Sequence, residues 1–191
     1  IVVFVVAAIA FVGFLLWERR HDDPFIDLRF FGSVPFVSAT VIAICAFANW
    51  GGFLFLMSLY LQEDRGFSAV GTGAMLVPPA VAVLICSPLS GRAVGRWGTR
   101  PSLVIAGIAL LISSSMMLFI DDATPIPLLA LIFFIFGLGF GMINAPITNS
   151  AVAGMPRHRA GAASAVASTS RQIGVSLGVA LAGSVTGLAA A

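Results

Sequence analysis

The stretch from residue 126 to residue 153, IPLLALIFFIFGLGFGMINAPITNSAVA, contains no charged residue. An α-helix needs about 20 apolar residues to cross the hydrocarbon core of a bilayer, which is about 30 Å thick. Apolar side chains occur on every side of a helix drawn through this stretch, so it is not amphipathic. The stretch therefore predicts a helix that spans a membrane.

The rest of the chain has the same character. Hydrophobic residues make up 59% of it and charged residues only 9%, whereas a soluble domain carries about 25% charged residues. The strands of a membrane barrel would be shorter, with alternating polarity. The sequence predicts an all-α, polytopic transmembrane bundle with about six spanning helices, at residues 1–17, 35–61, 72–89, 102–120, 126–153 and 160–188. Because the third span contains Pro78, Pro79 and Pro88, we expect it to be bent.

The arginines predict the orientation of the chain. All ten basic residues are arginine, and the connections of a membrane protein that collect arginine lie in the cytoplasm. The first, third and fifth connections contain eight of the ten, whereas the second and fourth contain only Arg65. We therefore expect a multi-pass protein of the cell membrane, in which the loops near 18–33, 91–101 and 154–160 are cytoplasmic.

Arg171 is the most informative polar residue. It lies 11 residues into the sixth span, at roughly 15 Å along the helix axis, where a charge costs about 3 kcal/mol. Gly174 and Gly178 share its helical face and allow close helix packing. One interpretation is a substrate or gating residue that meets an anion, a carbonyl or a carboxylate. The alternatives are a side chain that reaches the interface and a structural tie to a neighbouring helix.

Two further groups of polar residues lie within spans. Four residues of the fifth span share one face, where they could line a cavity or bond to neighbouring helices: Gly137, Gly141, Asn144 and Thr148. In the second span, Asn49 and Trp50 lie among phenylalanines. Aromatic faces suit bulky cations, although phenylalanine also contacts lipid. Asn144, Thr148, Asn49 and Trp50 are thus candidate substrate or gating residues, and Gly137 and Gly141 are candidates for helix packing.

Three patterns together resemble the major facilitator superfamily, in particular its drug:proton antiporters with fourteen spanning helices (the EmrB/QacA type). The first is PFIDLRFF at residues 24–31. The second is LYLQ at residues 59–62, which contains Gln62, followed by GFS at 66–68, Gly73, Pro78 and Gly91-Arg92. The third is GAASA at 161–165, followed by SRQIG at 170–174 and Gly178. The patterns occur in the family's order over nearly the whole chain, which resembles only the C-terminal part of such a protein.

The resemblance implies a function. It implies a transporter that exports small amphipathic or cationic compounds by alternating access, with a proton gradient as its energy source and no cofactor. It adds Gln62 to the candidate substrate or gating residues. The family's conformational-switch loop corresponds to Gly91, Arg92, Arg96, Gly98 and Arg100, but Gly95 replaces its acidic residue. Those three arginines could instead serve topology and contact lipid headgroups.

The resemblance also implies that a portion of the protein is missing from this chain. The first residue is isoleucine, not methionine, and every acidic residue lies in a connection or at the end of a span. Proton coupling needs a carboxylate or similar group within the membrane. We therefore expect the coupling residue in a missing N-terminal half, with which this bundle would pack inside the bilayer.

Other classes of function find no support in the sequence. The arginines form no dense basic face of the kind that binds nucleic acid, and no metal-ligand set, phosphate loop or catalytic nucleophile motif is recognisable. The sequence thus predicts neither an enzyme nor a metal site. Two alternatives stay open: a major facilitator exporter of another solute, such as a sugar, a siderophore or a lipid precursor, and a membrane scaffold that transports nothing.

Overall fold

The computed structural model describes residues 33–152 and 160–189, together with residues 5–6, 9–10 and 12–13. From residue 33 onward it consists of helices, and no strand occurs in this described part. The elements are α1 (Val34–Leu59), a π-helical turn (Tyr60–Asp64), α2 (Ala69–Met75), α3 (Val77–Trp97), α4 (Thr99–Met117), α5 (Ile126–Val152) and α6 (Ala160–Ala189). The prediction of an all-α bundle is confirmed.

Among the residues that the structure describes, four helical segments are long and apolar enough to cross a membrane: Val34–Asp64, Ala69–Trp97, Thr99–Met117 and Ile126–Ser150. They overlap the predicted second, third, fourth and fifth spans. The predicted sixth span corresponds to α6, a helix of 30 residues. Most of the predicted first span, and almost all of the predicted loops near 18–33 and 154–160, lie outside the described residues. The count of six spans therefore stays a prediction.

Helix α5 lies at the centre of the described bundle. It contacts α1, α3, α4 and α6, whereas α6 packs mainly on α1. In an apolar stretch of 18 residues within α5, 56% of the residues are buried, against 22% to 28% in the corresponding stretches of the other three spanning segments. A helix that is apolar all round suits this position, because neighbours cover it on several sides.

Glycines set the distance between the paired helices. A β-carbon on Gly174 would lie 2.5 Å from the carbonyl oxygen of Ile44 in α1, and a β-carbon on Gly178 would overlap the carbonyl oxygen of Ala48. In α5, Gly137 likewise meets the backbone of Pro79 in α3. Small residues of this kind let membrane helices approach until their backbones touch.

The prolines of the predicted third span interrupt it near its start. The chain forms the short helix α2, turns at Leu76, and continues as α3 with Pro78 in its first turn. Proline is favoured there because the amide that it lacks would have no partner within the helix. Pro88 lies inside α3. The expected bend therefore takes the form of a break before Pro78.

A second proline creates a polar centre inside the bundle. Pro146 of α5 has no N–H to donate to the carbonyl of Met142, four residues earlier. Two serines donate to that oxygen instead, Ser90 of α3 at 2.7 Å and Ser102 of α4 at 2.8 Å, and their hydroxyls lie 2.8 Å apart. Both serines are fully buried. Three helices are thus joined at one carbonyl that proline leaves free.

The prediction that residues 91–101 form a loop is wrong. Helix α3 continues to Trp97 and α4 begins at Thr99, so only Gly98 lies between the two helices. Arg92 and Arg96 are therefore helical and exposed. The helix continues past the apolar part of the span because no proline interrupts it after Pro88. Gly98 makes the turn possible, since its φ of 82° with ψ of −177° suits glycine alone.

We expect the change Gly98→Ala to destabilise the joint between α3 and α4. A β-carbon is strained at this φ and ψ, which costs about 2 kcal/mol. Gly95→Ala is the matched control, because its β-carbon would meet nothing within 4 Å and its φ is not positive; alanine also favours helix. The thermal midpoint of the purified full-length protein should fall for Gly98→Ala alone. Equal midpoints would contradict the strained joint.

Candidate substrate and gating site

Arg171 reaches from α6 toward both α5 and α1. Its Nη2 donates to the hydroxyl of Thr148 at 2.7 Å, and its guanidinium carbon lies 5.6 Å from the ring centroid of Phe47. The Nε atom is buried and has no hydrogen-bond partner among the described residues. The side chain as a whole is half-buried. Arg171 is therefore held at the junction of three helices, with donors left over.

Asn144 and Thr148 lie on α5 beside this arginine. The Nδ2 of Asn144 donates to the carbonyl of Phe140 at 3.2 Å, and the hydroxyl of Thr148 donates to the carbonyl of Asn144 at 3.1 Å while accepting from Arg171. The predicted face of α5 meets two different neighbours, since Gly137 and Gly141 contact α3 whereas Thr148 reaches α6. The glycines are therefore buried between helices, and only the two polar residues lie near Arg171.

Trp50 lies deeper in the same group of side chains. Its ring stacks on Phe140 with centroids 4.2 Å apart, and Phe140 also meets Phe47 edge to face at 5.0 Å. The stack continues to Phe136 and Phe53, whose centroids are 4.1 Å apart. Phe53, Phe136 and Phe140 are buried, while Phe47 and Trp50 are half-buried. The structure thus brings together six side chains, named here the Arg171 cluster: Arg171, Thr148, Asn144, Phe47, Phe140 and Trp50.

The other two candidate residues lie outside this cluster. Asn49 is exposed and lines a mainly apolar groove of about 590 Å³ between α1, α5 and α6. Gln62 lies on the π-helical turn, where its Nε2 donates to the carbonyl of Ser58 at 3.1 Å, and it borders a separate groove of about 460 Å³. It follows Phe47 by fifteen residues, roughly 22 Å along a helix. The six candidates therefore do not form one site.

The three arginines of the predicted conformational-switch segment lie at the end of the bundle where α3 meets α4. Arg92 and Arg96 are on α3, and Arg96 lies over the ring of Trp97 at 5.4 Å. Arg100 is in the first turn of α4 and borders a cavity of about 290 Å³. All three side chains are exposed. Their role in switching stays a prediction.

Arg65 has a contact that the sequence did not reveal. Its Nη1 donates to the carbonyl oxygens of Thr124 at 3.0 Å and Asp121 at 3.3 Å, and to the hydroxyl of Tyr60 at 3.2 Å. That hydroxyl donates in turn to the carbonyl of Asp121 at 2.7 Å. Arg65 therefore ties the end of α1 to the connection between α4 and α5. The one signal in the sequence is that Arg65 is the single arginine of the second and fourth connections.

No metal ligand set is found within the part of the chain that the structure describes. Among those residues, no three histidine, cysteine, aspartate or glutamate side chains come close enough to hold an ion. Cys45 is exposed and Cys86 is buried, and both are free thiols. At the Arg171 cluster, the described side chains can bind a ligand through hydrogen bonds and through the positive charge of Arg171.

Comparisons with known proteins place these features in context. Residues 1–179 match the family model described as Major Facilitator Superfamily. The chain is 35% identical over 185 residues to the multidrug resistance protein Stp of Mycobacterium tuberculosis, covering 97% of this chain and 34% of that protein.

Two further relatives show the same pattern. The tetracenomycin C resistance and export protein of Streptomyces glaucescens is 32% identical over 177 residues, covering 93% of this chain and 33% of that protein. The quinolone resistance protein NorB of Staphylococcus aureus is 24% identical over 187 residues, covering 97% and 40%. The chain thus spans about a third of the length of these curated relatives.

Proposed function

Because this chain belongs to the major facilitator superfamily, whose members are transporters, we propose that it is part of an exporter of small amphipathic compounds. The relatives named for drug resistance and export support this direction of transport. The bilayer is its environment, and the rest of the same protein is its partner. Transport proceeds by alternating access, as the resemblance of the sequence implies.

The observation that carries this proposal is a charged side chain within apolar helices. Arg171 lies more than two turns into α6, joined to α5 through Thr148 and to α1 through Phe47. A charge at this depth is costly, and such residues mark substrate or ion pathways. A scaffold needs only the glycine contacts between helices. The Arg171 cluster therefore favours transport over scaffolding.

Protons are the proposed energy source. The described acidic residues are confined to two places, Glu63 and Asp64 on the π-helical turn, and Asp121 and Asp122 between α4 and α5. Tyr60 and Arg65 bring these two places to the same end of the bundle. A carboxylate that moves protons through the membrane thus belongs to residues outside the described part.

Dye transport by the full-length protein tests the proposal. Everted membrane vesicles that contain the protein should take up a fluorescent amphipathic dye when a proton gradient is imposed, and an uncoupler should abolish the uptake. Vesicles from cells with an empty vector provide the baseline. Uptake no greater than that baseline, across a panel of cationic, zwitterionic and anionic dyes, would leave the scaffold interpretation standing and reject export.

A further inference from the structure

We propose that Arg171 binds the carboxylate of an aromatic substrate, so that the compounds exported include aromatic acids and zwitterions. This inference rests on the proposed export function and specifies its substrate. It concerns the open side of the Arg171 cluster, where Thr148 is exposed and Arg171 is half-buried.

The guanidinium of Arg171 has donors that the described residues leave unused. Arginine has five N–H donors in a planar fork. One of them donates to Thr148, and the Nε is buried with no described partner. A buried donor without a partner is costly, and a charged one more so. The two Nη groups keep further N–H donors beyond the one on Thr148, and the two oxygens of a carboxylate match a pair of such donors.

The neighbours of Arg171 hold the guanidinium in place without neutralising it. Thr148 accepts from Arg171 and donates to the carbonyl of Asn144, and Asn144 donates to the carbonyl of Phe140. Phe47 offers only the face of its ring, at 5.6 Å. None of these groups carries a negative charge. The positive charge thus remains available to a ligand.

The described carboxylates are too far away to neutralise Arg171. Glu63 follows Phe47 by sixteen residues along α1 and the π-helical turn, which is roughly 24 Å. Asp121 lies at the same end as Glu63, because its carbonyl accepts hydrogen bonds from Tyr60 and Arg65. A cationic compound at the Arg171 cluster would meet a like charge and no described carboxylate. An anionic group is the complement of this site.

The aromatic preference follows from Phe47, which lies beside the guanidinium, and from Trp50, which stacks on the same Phe140 ring that Phe47 meets. Phe47 and Trp50 are both half-buried, so each presents part of its ring at the surface of the described bundle. Phe140 is buried against both of them and fixes their positions. Rings held in this way favour offset or edge-to-face contact with another aromatic group. A ligand that reaches Arg171 from this side therefore gains by carrying a planar ring.

Binding of two nearly isosteric probes to the purified full-length protein tests the inference. The probes are 1-naphthoate and the neutral 1-naphthamide, and the measurement is isothermal titration calorimetry. We expect naphthoate to bind about 10- to 100-fold more tightly, because a hydrogen bond to a charged group is stronger than a neutral one. Arg171→Gln should reduce the affinity for naphthoate to that for naphthamide and leave the affinity for naphthamide unchanged. Arg171→Lys should recover part of the lost affinity for naphthoate.

Arg65→Gln is the matched control. It removes an arginine that bonds carbonyls at the other end of the bundle, so the ratio of the two affinities should stay at the wild-type value. Equal affinities in the wild type, or no binding of either probe, would overturn the inference. An equal loss of both probes in Arg171→Gln would show that Arg171 pairs with a carboxylate of the protein itself, which also overturns it. Dye uptake in vesicles is measured separately, so failure of the export function is distinguishable from failure at Arg171.

Discussion

Replacing Gly178 with alanine is expected to destabilise the bundle by about 3 kcal/mol or more. A β-carbon at this position would lie 2.6 Å from the carbonyl carbon of Ala48 and would overlap its carbonyl oxygen. These are backbone atoms, which cannot rotate aside, so α1 and α6 must separate along their contact. Overpacking of a core costs about 1–3 kcal/mol even where side chains can adjust. The measurement is the thermal midpoint and folded yield of the full-length protein in detergent.

Gly187→Ala provides the comparison on the same helix. A β-carbon on Gly187 would meet nothing within 4 Å, and alanine favours helix by about 1 kcal/mol over glycine. This variant should therefore keep the wild-type midpoint or exceed it. If Gly178→Ala and Gly187→Ala had the same midpoint, the backbone contact between α1 and α6 would be wrong.

The second large effect is expected from removing both serines that bond to Met142. Ser90→Ala with Ser102→Ala should cost about 3 kcal/mol, because two hydrogen bonds are lost and a buried carbonyl keeps no partner. Either single change should cost less, since the other serine still donates to the same oxygen. Thermal or denaturant unfolding of the full-length protein gives the difference.

The change Pro146→Ala tests whether the two serines stabilise the fold because Pro146 leaves the carbonyl of Met142 without an N–H partner. An alanine at position 146 has an N–H that can reach the carbonyl of Met142, so in that background the double serine change should cost less than in the wild type. This difference is a coupling free energy of a double-mutant cycle. Ser113→Ala is the control. Its hydroxyl also bonds to a helix carbonyl, that of Ile132, but residue 136, four positions later, has its own N–H. The cost of Ser113→Ala should therefore be the same with and without Pro146→Ala. Additive effects of the proline and serine changes would contradict the arrangement.

Much of the fold could be predicted because the bilayer imposes it. A stretch such as 126–153 can satisfy its backbone in lipid only as a helix, and the structure has helix α5 there. The central position of α5 was not predicted, because an apolar helix can face lipid as well as other helices. Prolines 78 and 79 predicted an interruption, and helix α3 begins at Val77.

Features that depend on pairs of helices could not be read from one helix at a time. Nothing in the sequence near Ser90 or Ser102 points to Met142, because the link passes through the amide that Pro146 lacks. The joint at Gly98 was predicted as a loop because glycine and arginine suggest an irregular segment, yet one glycine with positive φ is sufficient to turn the chain.

The candidate site was predicted in part. The cost of a charge in lipid singled out Arg171, and helical spacing placed Asn144 and Thr148 on one face. Their proximity to Phe47, Phe140 and Trp50 depends on the packing of α1 against both α5 and α6, which the sequence does not show. Gln62 was included through the resemblance of its motif, and the structure places it at the distant end of α1. The functional roles of all six candidates stay predictions.

The sidedness of Gly98 and its neighbours tests the central claim, which is that these helices cross the bilayer with the joint between α3 and α4 in the cytoplasm. Every cysteine of the full-length protein, Cys45 and Cys86 among them, is first replaced with alanine, and a single cysteine is then introduced by Trp97→Cys or Asp122→Cys, both exposed positions. A maleimide that cannot cross membranes is added to intact cells. We expect labelling at position 122 in intact cells, and at position 97 only after permeabilisation. Labelling at position 97 from outside would contradict the orientation and the direction of transport that depends on it.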